Sequence, residues 1–514
     1  MSGSVEIPRA NLADFVLRRA AELSDKPAFV EGPSGRSVTY GELARLVRSF
    51  ASGLAARGLA RGDTVCVCLP NVPEFAVAFH GTVTVGLRCA TANPLYTARE
   101  LGHQLADTDA RVVLTVPENL GTAREAAAPT GCEVVVLGEA EPATSSSALL
   151  GDPDAGSDTA IGSTDEIAAI LYSGGTTGLP KGVLLSHRNL IATLALAESQ
   201  LALRADDVVL AALPFFHVYG LHVIMNFALQ AGATIVSMPR FELGRFLDLI
   251  EHHRVTRVSI VPAIAVALIE DPSVPGRELG SLRHVMSGAA PLGTELAEAC
   301  ERRLRCPVTE AFGMTEMSAI THVVPPFGGI HKPGSIGPPV PGVECRLVDH
   351  KTGIDAAPGE PGELWMRSTK VMQGYLNNPE ATAAAIDRDG WLRTGDIATV
   401  DEDGWFSVVG RIKEIIKYKG FQVFPAELEM LLLSHPDVAD GAVIGVDDIE
   451  AGEIPKAFVV PASGAIDTDA VLSYVADRVA PYKRIREIEL IDEIPKSQSG
   501  RILRRVLQER ASVP

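Results

Sequence analysis

No tract of lysines and arginines interrupts this chain of 514 residues, and its 46 basic residues are outnumbered by 64 acidic ones, for a formal charge of −18. Proteins that bind nucleic-acid polymers draw much of their affinity from Lys and Arg set against phosphates, so that class is excluded. A phosphate-bearing small molecule is not, because its site needs only a few local cations and backbone N–H groups. Cysteine patterns are also missing: Cys66, Cys68, Cys89, Cys132, Cys300, Cys306 and Cys345 are odd in number, scattered and free of any C-x-x-C pair. They read as buried, reduced thiols in a cytoplasmic protein rather than as a metal site or disulfide framework. The first residues, MSGSVEIPRANLADF, hold acidic groups and no apolar core segment, so no secretory signal is expected. Val208 to Pro239 has no Asp, Glu, Lys or Arg and is long enough to span a bilayer. Pro214, His217, Gly220, His222, Asn226, Gln230 and Gly232 punctuate it, however, which predicts a buried strand, loop and helix and no stable membrane association.

What is present is a long α/β rhythm. At about 100 to 200 residues per domain the chain is too long for one. Helical stretches (Asn11 to Leu23, Tyr40 to Arg57, Pro73 to Gly86) alternate with short β-rich runs at Thr64 to Leu69, Arg111 to Thr115 and Glu133 to Leu137. Such runs predict largely buried parallel strands. Gly138 to Glu166 is rich in small turn residues and predicts a surface connection. The rhythm resumes at Ile167 to Tyr172 and runs through Arg257 to Val261 and Leu282 to Met286. Beyond about Gly337 it gives way to Gly-rich and Pro-rich β segments, and a small α+β unit begins near Arg411. No internal repeat is visible.

The most informative string is Leu171-Tyr-Ser-Gly-Gly-Thr-Thr-Gly-Leu-Pro-Lys-Gly182, directly after an apolar strand. Glycines let the backbone turn tightly and approach a ligand, the threonines add hydroxyl donors, and Lys181 supplies a cation, a combination suited to a triphosphate. It is not a Walker A loop, since Pro180 precedes the lysine and no Ser or Thr follows it.

This string resembles the phosphate loop of the adenylate-forming superfamily, which includes acyl-CoA synthetases, luciferases and peptide-synthetase adenylation domains. Other segments extend the resemblance in order: Leu213-Pro-Phe-Phe-His-Val-Tyr-Gly220, Ser287-Gly-Ala-Ala-Pro291, Glu310-Ala-Phe-Gly-Met-Thr-Glu316, Trp391-Leu-Arg-Thr-Gly-Asp396, Gly410 to Val423 and Pro495 to Arg501. The resemblance implies a large N-terminal domain (1–410) of α/β subdomains plus a distorted β-barrel, a hinge (411–413) pivoting at Lys413, and a small mobile C-terminal α+β domain (414–514). It implies that Ser173, Gly174, Gly175, Thr176, Thr177, Gly178 and Lys181 hold ATP phosphates, and that Gly288, Ala289 and Ala290 lie against the nucleotide. Glu310, Ala311, Phe312, Gly313, Met314 and Thr315 complete that nucleotide site, with Phe312 stacking on adenine. Glu316 would bind Mg²⁺, while Asp396 and Arg411 would take the ribose. His217, Tyr219, Gly220, Val223, Val323 and Val324 are expected at the acyl pocket. Lys417 and Gln422 would face the adenylate, and Lys419, Gly420 and Phe421 would line the CoA tunnel once the small domain rotates.

The details of GFQVFPAELE and PFFHVYG are most similar to the 4-coumarate-CoA ligase and medium-chain acyl-CoA ligase branch, and no carrier domain follows. The implied reaction joins a carboxylic acid to CoA through an acyl-adenylate. Gly174 replaces the second serine of the family's phosphate loop and Phe312 its tyrosine, with little loss, and a third departure bears on the chemistry. Where the family has the lysine that bridges substrate carboxylate and α-phosphate, this chain has Arg501. A planar guanidinium is not a compact point charge, so the exchange is not conservative. Loss of such a contact typically costs about 3 to 4 kcal/mol, or roughly 10² to 10³ in rate. The expectation is a ligase that mainly or only converts a supplied acyl-adenylate to acyl-CoA, with adenylation by a separate partner enzyme. The alternatives are a complete two-step ligase, a non-catalytic adenylate-binding protein, and a luciferase-type oxygenase. Small and apolar candidate pocket residues point to an aryl, fatty or polycyclic acid and away from an amino acid.

Overall fold

The computed structural model describes residues 6–138, 144–155, 163–173, 180–326, 332–419, 421–464, 466–497 and 500–512, and all counts of elements and partners refer to them. In one eight-stranded sheet, Thr64–Val67, Arg88–Thr91, Ala110–Thr115 and Glu133–Val136 pair in parallel, and β1 (Ile167–Ser173) joins them beside Arg88–Thr91. The apolar character of these strands follows from burial on both faces. The chain returns antiparallel as β2 (Lys181–Ser186), which sets Ser173 opposite Lys181 at the two ends of the glycine-rich string. In a second eight-stranded sheet, Val208–Ala211, Thr234–Ser237, Arg257–Ile260, β3 (His284–Ser287) and β4 (Val308–Met314) are parallel. Its edge strand β5 (Ala319–Val323) folds back antiparallel on β4.

Local sequence explains the helices that cover these sheets. Tyr40–Ala56 starts at a capping box in which the Thr39 hydroxyl accepts the Glu42 N–H and the Glu42 carboxylate accepts the Thr39 N–H. It buries Leu43, Val47, Phe50 and Leu54 along one stripe. The predicted helix Asn11 to Leu23 is shorter, spanning Leu12–Val16; beyond it the chain turns, and Arg19 donates to the Ala231 carbonyl at 2.7 Å. The charge-free segment resolves into strand Val208–Ala211, a loop, a π-helix Tyr219–Asn226, helix Phe227–Ala231 and strand Thr234–Ser237. Among the described residues no helix is long and apolar enough to cross a membrane. All seven cysteines are free thiols, six of them buried.

The regular part of the barrel region is a four-stranded antiparallel sheet of Glu344–Val348, Gly362–Arg367, β6 (Leu392–Val400) and β7 (Phe406–Arg411). Bridges His322–Pro339 and Gly337–Phe406 tie it to β5. After the 3₁₀ turn Ile412–Glu414 the chain builds a separate unit: hairpin β8 (Ile416–Tyr418) and β9 (Phe421–Val423), helix α1 (Pro425–Leu433), β10 (Val438–Asp448), two further strands and helix α2 (Arg504–Ala511). That unit has its own apolar core around Ile416, Val423, Leu428, Leu432, Val443 and Val459. The architecture is a large N-terminal and a small C-terminal domain, and the expected hinge falls on the end of β7 and the turn that follows.

Candidate active site

The β4–β5 turn makes one wall of a cavity. Gly313 lies so close to β5 that a Cβ there would sit 2.1 Å from the Ala319 carbonyl oxygen, and Ser318 and Ala319 take left-handed backbone at φ +54° and +95°. Strained backbone of this kind persists where surrounding structure over-determines it, often at functional sites. The tight turn directs Phe312, Met314, Thr315, Ala319 and Ile320 into the cavity. The opposite wall is the entry to the π-helix, with His217, Val218, Tyr219 and Val223. A Cβ at Gly220 would stand 2.0 Å from the Pro214 carbonyl oxygen, so only glycine lets that segment fold back on itself. The end of β3 supplies Gly288 and Ala289, the latter at φ +71°. Arg501 completes the lining, and its Nε–H donates to the Ala289 carbonyl at 3.4 Å. The space between these lining atoms, counted with its open mouth, is about 450 Å³.

Charged groups cluster at the same end. Asp396 is 2% exposed, and its Oδ1 lies 2.8 Å from Arg411 Nε. Burial raises the Asp396 pKa, against the opposing pull of Arg411 and Arg501. Its Oδ2 is buried without a hydrogen-bond partner among the described residues, a costly state for a carboxylate oxygen unless a ligand donor reaches it. Burial lowers the Arg501 pKa; the charges that bear on it are Arg411, Asp396, Glu316 and Glu414. No carboxylate among the described residues is within ion-pair distance of Arg501, so its charge is available to an anion in the cavity. His217 is lowered to about 4 by burial and then by Arg501, and its Nδ1 accepts the Tyr219 N–H at 3.3 Å.

Glu316, in the turn between β4 and β5, accepts from the Ser173 hydroxyl at 2.9 Å and the Tyr375 hydroxyl at 3.0 Å, both on Oε1. Tyr375 pairs in register with Val183 of β2, and the Lys181 ammonium sits 4.9 Å from its ring centroid. Tyr375 thus joins the two ends of the phosphate string to Glu316. Sequence reasoning missed it because an isolated Gly-Tyr pair carries no spacing signal. Val218 and Ile320 were missed for the same reason: apolar residues in buried strands and helices look alike whichever cavity they face.

Several expected residues lie elsewhere. Gly220, the second residue of the π-helix, is buried off the cavity lining, and Val323 and Val324 pack into the core beyond the cavity, since Val323 is a full four positions further along β5 than Ala319. Ala290 does not line the cavity, and the Glu310 carboxylate braces backbone, accepting Leu292 N–H at 2.9 Å and Gly334 N–H at 3.1 Å. Lys413 and Lys417 are exposed, Gln422 bonds His350 at 3.2 Å, and Lys419 pairs with Glu450 at 2.6 Å. Phe421 is 55% exposed and stacks on Tyr482 at 4.7 Å. None of these residues lines the cavity, which Arg501 of the same domain enters. Gly174, Gly175, Thr176, Thr177, Gly178 and Gly420 fall outside the described residues.

A family model described as AMP-binding enzyme matches residues 16–376, and one described as AMP-binding enzyme C-terminal domain matches 427–501. The chain belongs to the AMP-binding enzyme family. Among curated relatives it is 42% identical to 4-coumarate–CoA ligase 5 of Oryza sativa subsp. japonica, covering 98% of this chain and 95% of that one. Among solved structures it resembles an anthranilate CoA ligase in complex with anthranoyl-AMP, with a TM-score of 0.92, 27% identity and 99% coverage of both chains. A benzoate CoA ligase from Burkholderia xenovorans LB400 matches with a TM-score of 0.88 and 29% identity over 97% of this chain and 100% of that one. Arg501 is the last residue of the AMP-binding C-terminal match, while Asp396 and Arg411 fall between the two matched segments.

Proposed function

We propose that this AMP-binding enzyme is a complete AMP-forming CoA ligase for an aromatic carboxylic acid. The observation that carries this is the cavity itself: Phe312, Thr315, Tyr219 and Arg501 border one space, and Asp396, whose Oδ2 is orphaned, is near enough to Arg501 to feel its charge. Relatives named as ligases of 4-coumarate, anthranilate and benzoate support the same reading. In the first step a carboxylate oxygen of the acid attacks the α-phosphorus of ATP; an acyl–oxygen–phosphorus bond forms and pyrophosphate leaves. Two anions must approach one another, so positioning and cationic stabilisation dominate. Arg501 supplies the cation that lies against both. The ribose hydroxyls would satisfy the buried Asp396 oxygen, Phe312 would stack on adenine, and Lys181 would move from the Tyr375 ring to the phosphates.

The donor chemistry also fits magnesium. Among the described residues no group of three His, Cys, Asp or Glu side chains could cage an ion, but one carboxylate plus substrate phosphates suits Mg²⁺, and Glu316 is that carboxylate. Bound there, Mg²⁺ would neutralise phosphate charge. His217, held neutral, walls the acyl side without adding a charge that would compete for the carboxylate. In the second step the CoA thiolate attacks the acyl carbon and AMP leaves. We assign Lys419, Gly420 and Phe421 to the CoA path, and Lys417 and Gln422 to the adenylate, after rotation of the C-terminal domain about residues 411–413.

A second reading, thioesterification of a supplied adenylate alone, is favoured by one observation, the arginine at 501. The two readings separate in a pair of assays: pyrophosphate release from ATP plus a benzoate or cinnamate panel, and CoA ester formation from the synthetic adenylates. The two-step reading expects both, with Arg501→Ala lowering the first by roughly 10² to 10³ and sparing the second. Absence of pyrophosphate release by the wild-type protein, with normal turnover of adenylates, would overturn it.

A further inference from the structure

Arg504 stands three residues beyond Arg501, at the first position of α2. Its guanidinium grips Glu429 of α1 with two bonds, Nη1 to Oε1 at 2.7 Å and Nη2 to Oε2 at 3.0 Å, while its Nε lies 3.0 Å from Glu414 Oε2. Glu429 also accepts the Val443 N–H of β10 at 2.8 Å, so α1, β10 and α2 meet at one buried point. Burial raises the Glu429 pKa against the pull of Arg504. Bidentate guanidinium–carboxylate pairs fix orientation as well as distance.

Between Pro495 and Leu503 the described residues bond one another. Leu503 N–H donates to the Pro495 carbonyl and Ser497 N–H to the Arg501 carbonyl, both at 2.8 Å, and Arg501 N–H reaches Ser497 Oγ at 3.2 Å. Lys496 anchors the near side to Asp440 at 2.5 Å. These bonds tie Arg501 to Ser497, and where Arg501 arrives depends on what the residues on either side of it are fastened to. Glu414 closes the turn that follows Arg411, the residue paired with Asp396. Two ion-pair groups, Arg411 with Asp396 and Arg504 with Glu414 and Glu429, thus flank Arg501 in sequence and bear on it electrostatically, and of the three guanidiniums Arg501 alone has no carboxylate partner among the described residues.

We propose that the Glu414–Arg504 ion pair positions Arg501. It fastens the 495–503 loop to the Arg411–Glu414 segment, so the guanidinium enters the cavity in the same arrangement that pairs Arg411 with Asp396. Arg504 and Glu414 are positioning residues that touch no substrate, and the inference rests on the reading of Arg501 as the first-step cation. Glu414 is the informative site for substitution. Arg504→Met would strand a buried Glu429 and threaten the fold, whereas Glu414→Gln leaves the Glu429 pair intact.

The test measures pyrophosphate release and CoA ester formation from synthetic adenylate separately, with a thermal melt of each variant. For Glu414→Gln we expect the first step to fall on the order of tenfold to a hundredfold, with the second step and the melting temperature unchanged, and Glu414→Asp to recover part of the loss. Equal loss in both steps, or loss in neither, overturns the positioning role. Arg501→Ala serves as the control that separates the two claims. If it leaves pyrophosphate release untouched, or the wild-type protein releases none, the reading of Arg501 fails and takes this inference with it. If Arg501→Ala is impaired and Glu414→Gln is not, only the positioning role falls.

Discussion

Tyr375 shows what a single side chain contributes here. Its hydroxyl donates to Glu316 and its ring lies under the Lys181 ammonium, so two groups proposed to meet the triphosphate are held in place by one residue. Burial, and then the neighbouring carboxylate, push its phenol pKa upward, which keeps it a donor throughout the working range. Tyr375→Phe keeps the ring and removes the bond. A lost hydrogen bond to a charged group is worth roughly 1.5 to 3 kcal/mol, so the KM for ATP should rise about tenfold or more while the KM for the acid stays level; steady-state kinetics with each substrate varied would show it. Arg501 teaches a complementary lesson. Its identity was legible in the sequence and implied a damaged first step, but only its surroundings show a charge left free of carboxylates at the cavity.

At the scale of elements, Arg88–Thr91, Thr234–Ser237 and Val308–Met314 went unread, while the parallel strands read from apolar runs shift at their ends by only a residue or two, as with Ala110–Thr115 for Arg111 to Thr115. Pattern served there because burial on both faces leaves a continuous signal. The π-helix Tyr219–Asn226 was not legible: its wider winding gives no distinct periodicity within eight residues, seven of them buried. The consequence is local and specific. Tyr219 and Val223 reach the cavity, whereas Gly220 packs below it, a distinction that motif spacing does not encode. The same limit explains Val323, the last residue of a strand whose first two residues face the site and whose end faces the core, and Val324 just past it.

Taken as a whole, the chain spells out its two domains but not which face of the small one meets the large. Residues 413 to 422 and residue 501 carry equally plausible chemistry, and only the arrangement shows that Arg501 is inside while Lys417, Lys419 and Phe421 are outside. Burial of titratable groups across the molecule sets its response to acid. His80, His222, His284 and His322 are lowered to about 3 and His187 to about 4, in each case chiefly by desolvation. Below pH 6.5 the unfolded chain takes up protons that the native state refuses, so stability is complete above that value and falls as the pH drops toward 4. Each histidine contributes up to about 2 kcal/mol of this loss at pH 5. Lys370, fully buried and lowered to about 7, acts in the same direction between pH 7 and 10. Melting temperatures recorded from pH 8 to pH 5 should decline steadily, and a flat profile would contradict it. A last consequence concerns how anions reach the site. A protein of charge −18 repels phosphates at a distance, whereas Arg411, Arg501 and Lys181 attract them at short range. Added salt screens the long-range repulsion more than the short-range attraction, with a Debye length of about 30 Å at 0.01 M and about 8 Å at 0.15 M. Nucleotide association followed by stopped flow should therefore quicken as salt rises over that range, the reverse of an enzyme whose whole surface draws its substrate in.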